Sequence, residues 1–318
     1  MSFGLVAKIT AFDGVLVREA NMPRVCTIED ATRRARTKFE QSNPEKVFDD
    51  VCSPGQLEAL CASGEIPPTL GTPQFIDVAF HLLDPCDENY ITDEQIFDQL
   101  EALNQDFNAR NPRRDQIPSE IAQLEGNPQI TFQLAGELPA EERISRRKTV
   151  ERAFGNEDMK FTDSGGLDAK DPARIMNVWV CPMGQFAGYA SYPWHLCDDD
   201  MFWYDGIVLA TDSFFGVNHR GSTENLGRTL SHEVGHYLGL AHVWGDPELP
   251  GSHGDDCVSD TPPQQSPNFG KTGAAGTMFM NFMDYTDDDT IVMFTKEQVR
   301  RMHLAAYLYR PELMFSSQ

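Results

Sequence analysis

One run, His232-Glu233-Val234-Gly235-His236-Tyr237-Leu238-Gly239-Leu240-Ala241-His242, constrains this chain more than any other. Two histidines four residues apart fall one turn apart on the same helix face, within reach of one metal ion. Glu233 follows the first of them and can reach an open coordination position to take a proton from water. Gly239 tolerates positive φ at little steric cost, so the helix can stop there and the chain can turn back. That turn brings His242 in as a third nitrogen ligand. Three imidazoles, a carboxylate base and an open position describe a hydrolytic zinc centre. A structural zinc domain fits less well, because such sites are closed by four ligands.

The rest of the chain must supply a fold around that turn. At 318 residues it can bury one large core, with or without an accessory segment. Its 26 basic and 49 acidic residues leave a net charge of −23. Such a surface repels nucleic-acid phosphate and anionic membrane, so neither is expected as a partner. It suits cations and basic peptides, although plain solvation accounts for most charge of this kind. No apolar run is long enough to span a bilayer. The opening MSFGLVAKITAFDG lacks a basic n-region, a long apolar stretch and a small-residue cleavage site, so it does not read as a secretory leader. Seven cysteines (Cys26, Cys52, Cys61, Cys86, Cys181, Cys197, Cys257) show no CxxC spacing, and their odd number leaves at least one without an internal partner. Compartment stays open on this basis.

Residues 1–70 read as a separate leading region. A charged helix is expected over Ile28–Gln41 and a second near Ser53–Ala62, followed by an exposed linker rich in Pro67, Pro68, Gly71 and Pro73. Beyond it the pattern is α/β. Ile76, Val78, Phe80 and Leu82 alternate as in a strand. Thr92 and Gln95 form a capping-box start for a helix with Ile96, Leu100, Leu103 and Phe107 at helical spacing. Further strands are expected at Ile130–Ala135, Ile175–Cys181 and Gly206–Ala210. The zinc-motif helix is expected over Asn225–Leu240, with Leu226, Leu230, Val234 and Leu238 buried. After His242, Gly, Pro, Asp and Asn predict loops until a last helix, Lys296–Tyr309.

NLGRTLSHEVGHYLGLAHVWGD, DDCVSDTP, TMFMNFMDYTDDD and FTKEQVRRM together resemble the metzincin metalloproteases, and more narrowly the pappalysin family (peptidase M43) in its small bacterial members. ITDEQIFDQLEALNQDFNARNP and NVWVCPMGQFAGYASYP agree in order, so the resemblance covers about residues 72–310. It implies an α/β (α+β) catalytic domain over 71–318. An upper subdomain (71–242) would carry a twisted, mostly parallel sheet and two long helices above the zinc cleft. A lower subdomain (243–318) would hold loops and the C-terminal helix. The resemblance also implies Zn²⁺ and Ca²⁺ as cofactors, protein or peptide substrates, and cleavage beside basic residues. Pappalysins are usually secreted. Small members carry a disulfide in the lower subdomain; here Lys271 follows NFG and DDDTIV follows the Met-turn, so that bridge cannot form, and calcium or packing must hold these loops.

Residue roles follow from the two readings together. His232, His236 and His242 are the zinc ligands and Glu233 the general base. Met283 is the Met-turn methionine, an apolar floor beneath the metal. Tyr285 is a donor to the oxyanion or, alternatively, a core aromatic with a satisfied hydroxyl. Gly188, Tyr189 and Ala190 mark an edge strand that can bind extended peptide by strand addition, or simply end the sheet. Asp255, Asp256, Asp260, Thr261 and the run Asp287–Asp289 offer hard oxygens for calcium, or form solvated loops. Cys26 stands where small pappalysins carry a latency cysteine, whose thiolate can occupy the open zinc position; an ordinary cysteine is the competing reading. The alternative for the whole chain is a non-catalytic peptide-binding protein on a metzincin scaffold. Retention of Glu233 and Tyr285 weighs against it.

Overall fold

The protein is described here by a computed structural model covering residues 25–26, 55–84, 91–149, 157–184, 186–197, 201–217, 225–246 and 254–314. The helix expected over Ile28–Gln41, Cys52 and Cys86 lie outside the described residues. Nine strands are present among those described: β1 (Val25–Cys26), β2 (Gln74–Asp84), β3 (Ile130–Leu134), β4 (Ile144–Lys148), β5 (Ile175–Cys181), β6 (Phe186–Ala190), β7 (Ile207–Ala210), β8 (Phe269–Gly270) and β9 (Tyr285–Thr286). The longer helices are α1 (Gly55–Ser63), α2 (Asp93–Asp106), α3 (Arg228–Tyr237) and α4 (Lys296–Tyr309). None of the described helices is long and apolar enough to cross a membrane.

The main sheet has the order β1-β6-β7-β5-β2-β3, with β4 also paired to β2. Every pairing is parallel except β6 with β7. A mostly parallel sheet is covered on both faces, and β2 shows it. Ile76, Val78, Phe80 and Leu82 join the large core with Ile96, Leu100, Leu103 and Phe107 of the α2 region. On the opposite face Leu83 packs with Trp179 and Cys181, and Ala79 with Ile175. The alternation marked the strand, but both of its faces are buried.

α2 starts as its capping box dictates, with Thr92 and Gln95 exchanging side-chain and backbone hydrogen bonds. α4 has a second capping box, from Thr295 and Gln298. α3 is shorter than the expected Asn225–Leu240. Gly227 is left-handed (φ 77°), so the helix begins at Arg228. Its start is capped from afar: Asp288 Oδ2 accepts from the Leu226 and Arg228 amides at 2.9 and 3.1 Å. β4 carried no alternating pattern; its residues are half-buried or exposed, and it is held by parallel pairing to the second half of β2.

α1 falls within the leading region, yet Leu57 is fully buried in a cluster with Tyr192, Trp194, Ala241, Leu304 and Ala305. In the loop-rich half, β8 and β9 pair in parallel, and Lys271 forms an ion pair with Asp289. Backbone pairing and that exposed ion pair join the two loops where the family's disulfide is missing. Cys257 is a free thiol.

Candidate metal centre

The three motif histidines come together as the spacing requires. His236 Nε2 lies 3.1 Å from both His232 Nε2 and His242 Nε2, and all three ligand atoms fall within 4.8 Å of one another. Nitrogens on a tetrahedral zinc at Zn–N distances of about 2.0–2.1 Å sit about 3.3–3.4 Å apart. Neutral imidazole lone pairs converging at this distance repel unless a cation lies between them, so the residues present fit zinc. Among the described residues this is the only cluster of three or more His, Cys, Asp or Glu side chains arranged to hold a metal ion.

Outer contacts fix the rings. His232 Nδ1 donates to the Phe282 carbonyl at 2.7 Å and His236 Nδ1 to the Leu240 carbonyl at 2.8 Å. Each bond leaves Nε2 as the lone-pair nitrogen, the usual arrangement for a ligating histidine. His242 is held differently: its ring stacks on Trp244 at 4.4 Å and 6°. Burial pushes His232 down to about 4. It also holds His236 and His242 well below the ordinary histidine value. All three are therefore neutral near pH 7, the form a metal ion needs.

The turn after α3 explains the third ligand. Gly239 has φ 90°; the Leu240 amide donates to the Gly235 carbonyl and the Gly239 amide to that of His236. This is a Schellman ending with glycine in its left-handed position. A Cβ on Gly239 would also lie 2.8 Å from Ala305 Cβ.

The segment Phe282–Tyr285 closes the site from below. Phe282 holds His232 through its carbonyl. Met283 is fully buried, and its sulfur would lie 2.4 Å from a Cβ placed on Gly235, so a side chain there would force Met283 to move. The Met283 carbonyl accepts from the Val243 amide at 3.3 Å, and Tyr285 Oη lies 3.1 Å from His242 Nε2. Above, Gly188 on β6 faces Glu233: a Cβ there would stand 3.0 Å from Glu233 Oε1. Tyr189 and Ala190 complete β6, and β1 pairs along it with Cys26 in register with Gly188.

One buried network was not anticipated. Asp106, at the end of α2, accepts from Arg228 Nη1 at 2.8 Å, Ser231 Oγ at 2.5 Å and Asn111 Nδ2 at 2.8 Å. It ties α2 to the residue immediately before His232. Burial raises Asp106 to about 6 despite the Arg228 charge beside it.

The acidic residues divide. Asp256 is buried; its Oδ1 accepts from Thr261 Oγ1 at 2.5 Å and the Val258 amide at 3.1 Å. Its Oδ2 and Asp260 Oδ1 are buried without hydrogen-bond partners. Asp255 accepts from the Cys257 amide, and Asp260 Oδ2 from the Glu297 amide. The run Asp287–Asp289 has other contacts. Asp288 is occupied in capping α3 and Asp289 in pairing with Lys271.

A helix bearing HExxH beneath a mostly parallel sheet, with its third histidine delivered by a glycine turn over a buried methionine, defines a metzincin-type metallopeptidase. Residues 165–306 match the Peptidase_M43 family, described as pregnancy-associated plasma protein-A. An extracellular metalloprotease of Colletotrichum graminicola is 36% identical over 144 residues, 42% of this chain and half the length of that protein. One from Arthroderma benhamiae is 26% identical over 243 residues, 72% of this chain and 71% of that protein. Mature mirolysin of Tannerella forsythia, solved with a cleaved peptide, is 32% identical, with a TM-score of 0.67 over 77% of this chain and all of that one. A promirolysin variant is 30% identical, with a TM-score of 0.71 over 90% and 94% of the two chains. The chain belongs to the pappalysin family of zinc metalloproteases, peptidase family M43.

Proposed function

We propose that this chain is a zinc-dependent endopeptidase that hydrolyses peptide bonds with Glu233 as general base. The observation that carries the reading is the convergence of three neutral imidazole nitrogens beside a carboxylate at the edge of β6. His232, His236 and His242 would hold the zinc. When bound, the metal supplies a Lewis acid that acidifies water and polarises the scissile carbonyl. Glu233 takes the proton from the attacking water and delivers it to the departing amine. The Tyr285 hydroxyl donates to the carbonyl oxygen as it gains charge. β6 aligns the substrate backbone by strand addition, at a glycine that leaves room for the Glu233 carboxylate. Cleavage beside basic residues is the substrate preference that family membership and the chain's acidic surface support.

Two finer readings belong with it. Calcium binds the loop at Asp256 and Thr261, with Asp255 and Asp260 beside them; the unpartnered buried oxygens of Asp256 and Asp260 support this. The leading region keeps the enzyme latent, with the Cys26 thiolate in the open zinc position. Pairing of β1 along β6, with Cys26 in register with Gly188, supports that. On this reading residues 1–70 include a removable segment and 71–318 the catalytic domain.

The test is cleavage of a diverse peptide library by wild type and Glu233→Gln, with and without calcium and a zinc chelator. Chelator-sensitive cuts that vanish in Glu233→Gln, with zinc content unchanged, are expected. Equal cleavage by the two proteins would refute the role of Glu233. Tight peptide binding with no cleavage by either, even after removal of the leading segment, would favour the non-catalytic alternative.

A further inference from the structure

His232 and His236 are oriented by carbonyls of different origin. The acceptor for His236 is Leu240, four residues on, in the turn that ends the same helix. The acceptor for His232 is Phe282, fifty residues downstream in the Met-turn. Its direction is therefore set outside α3. The Phe282 carbonyl and the Met283 amide belong to one planar peptide unit, so whatever fixes that amide also aims the carbonyl. Asn281 Oδ1 accepts from the Met283 amide at 2.9 Å, and the Asp284 amide closes the turn on the Asn281 carbonyl at 3.0 Å.

Asn281 is held in turn by α4. Its Nδ2 donates to Gln298 Oε1 at 2.8 Å, and Gln298 Nε2 donates back to Asn281 Oδ1 at 3.1 Å. Both residues are fully buried. Gln298 Oε1 also accepts from the Thr295 amide at 2.9 Å, within the capping box that starts α4. The backbone N–H groups of Met283 and Thr295 thus each face a side-chain oxygen. Turning either side-chain amide over would set an NH₂ group against one of them, so one arrangement satisfies every donor. Removing either partner leaves buried polar atoms unpaired, because water does not reach them. The glutamine that caps α4 therefore also secures the turn beneath the histidines.

We propose that Asn281 is a positioning residue for His232 and that Gln298 acts through it. The connection runs from Gln298 Nε2 to Asn281 Oδ1, then through the Phe282–Met283 peptide to His232 Nδ1. It keeps the Phe282 carbonyl aimed so that His232 Nε2 faces the other two imidazoles. The inference rests on the zinc reading of the three histidines and adds two supports from outside the HExxH run.

The test uses the full chain with Asn281→Ala, Asn281→Ser, Gln298→Met and the double variant Asn281→Ala/Gln298→Met. Thr92→Ala, which removes the cap of α2, is the stability control. Zinc affinity is read by competition with a chelating indicator, ligand geometry by visible absorption of cobalt-loaded protein, and stability by thermal unfolding. Asn281→Ala is expected to weaken zinc binding about tenfold and to shift the cobalt bands, as loss of outer supports of a metal site does. Asn281→Ser should recover part of that loss, since a serine hydroxyl accepts from the amide two residues on, more weakly. Gln298→Met should weaken zinc binding less, because Asn281 keeps its own bond to Met283. The double variant should bind zinc no more weakly than Asn281→Ala. Thr92→Ala should lower Tm with zinc affinity and cobalt bands unchanged. Wild-type zinc affinity in folded Asn281→Ala would overturn the inference, as would losses that add in the double variant. If Asn281→Ala does not fold, Gln298→Met decides alone, and unchanged zinc affinity there would overturn it. A wild-type chain that binds no zinc would overturn the zinc reading and this inference with it.

Discussion

Gly188→Ala offers a sharp test of how β6 and the proposed base are fitted together. Gly188 has ordinary backbone angles, so alanine adds a methyl group without torsional strain. That methyl would stand 3.0 Å from Glu233 Oε1, 3.0 Å from the Val208 carbonyl and 3.1 Å from Leu209 Cδ2. Ordinary contacts begin near 3.4 Å, so a shift of about 0.4 Å must be found. The Val208 carbonyl is fixed in the β6–β7 pairing, and Leu209 is held in the main core. Glu233, a side chain turning about three torsions, is the neighbour that gives. A base displaced by several tenths of an ångström loses alignment with its water, and a misplacement of about 1 Å can cost about 100-fold in rate. We therefore expect kcat to fall about 10- to 30-fold. Zinc content should be unchanged, and the overpacking should cost about 1–3 kcal/mol of stability. Steady-state kinetics on a quenched-fluorescence peptide, with metal analysis and thermal unfolding of the same samples, separates these effects. A variant that keeps kcat within twofold while remaining folded and zinc-loaded would refute the coupling of Gly188 to Glu233.

Two further outcomes follow from the structure. Cys26→Ala should raise the activity of the uncut chain toward that of the processed enzyme; unchanged initial rates would remove Cys26 from the latency mechanism. Asp106 is raised by burial from 3.8 to about 6, so the native state holds a proton that the unfolded chain has released between these values. Its contribution is complete below about pH 4 and lost as pH rises through about 6, an effect of at most about 3 kcal/mol. The stability difference between wild type and Asp106→Asn should therefore shift against wild type from pH 4 to pH 7 by up to that amount. Parallel curves from denaturant unfolding would show that Arg228 keeps the carboxylate ionised throughout.

Much of the site was legible because its information is local. Histidine spacing on one helix and a glycine that must go left-handed both follow from adjacent residues, and both recur in the structure as His232, His236, Gly239 and His242. The same holds for the alternation in β2 and the capping box at Thr92. What escaped depends on partners remote in sequence. α3 begins at Arg228 because Asp288 caps it, and nothing near residue 225 announces that. Composition marked Asp288 and Asp289 as acidic oxygens but does not reveal that one caps α3 and the other pairs with Lys271. β4 has no alternating pattern because its side chains stay near the surface, and pairing to β2 alone makes it a strand. α1 was expected as a helix, but its burial against α4 depends on Arg300 and Arg301, far along the chain.

The capping of α3 by Asp288 also bears on how the molecule is made. A helix whose first amides are satisfied by a carboxylate some sixty residues downstream cannot be completed as it leaves the ribosome. Its start stays open until the Met-turn and the loop after it have been synthesised and folded back. That is a long closure, and contacts of this separation are slow to form. A nascent chain truncated before residue 288 would hold every motif histidine and Glu233, yet lack that cap, worth about 1 kcal/mol. Capping of the motif helix is thus coupled to synthesis of the chain through Asp288.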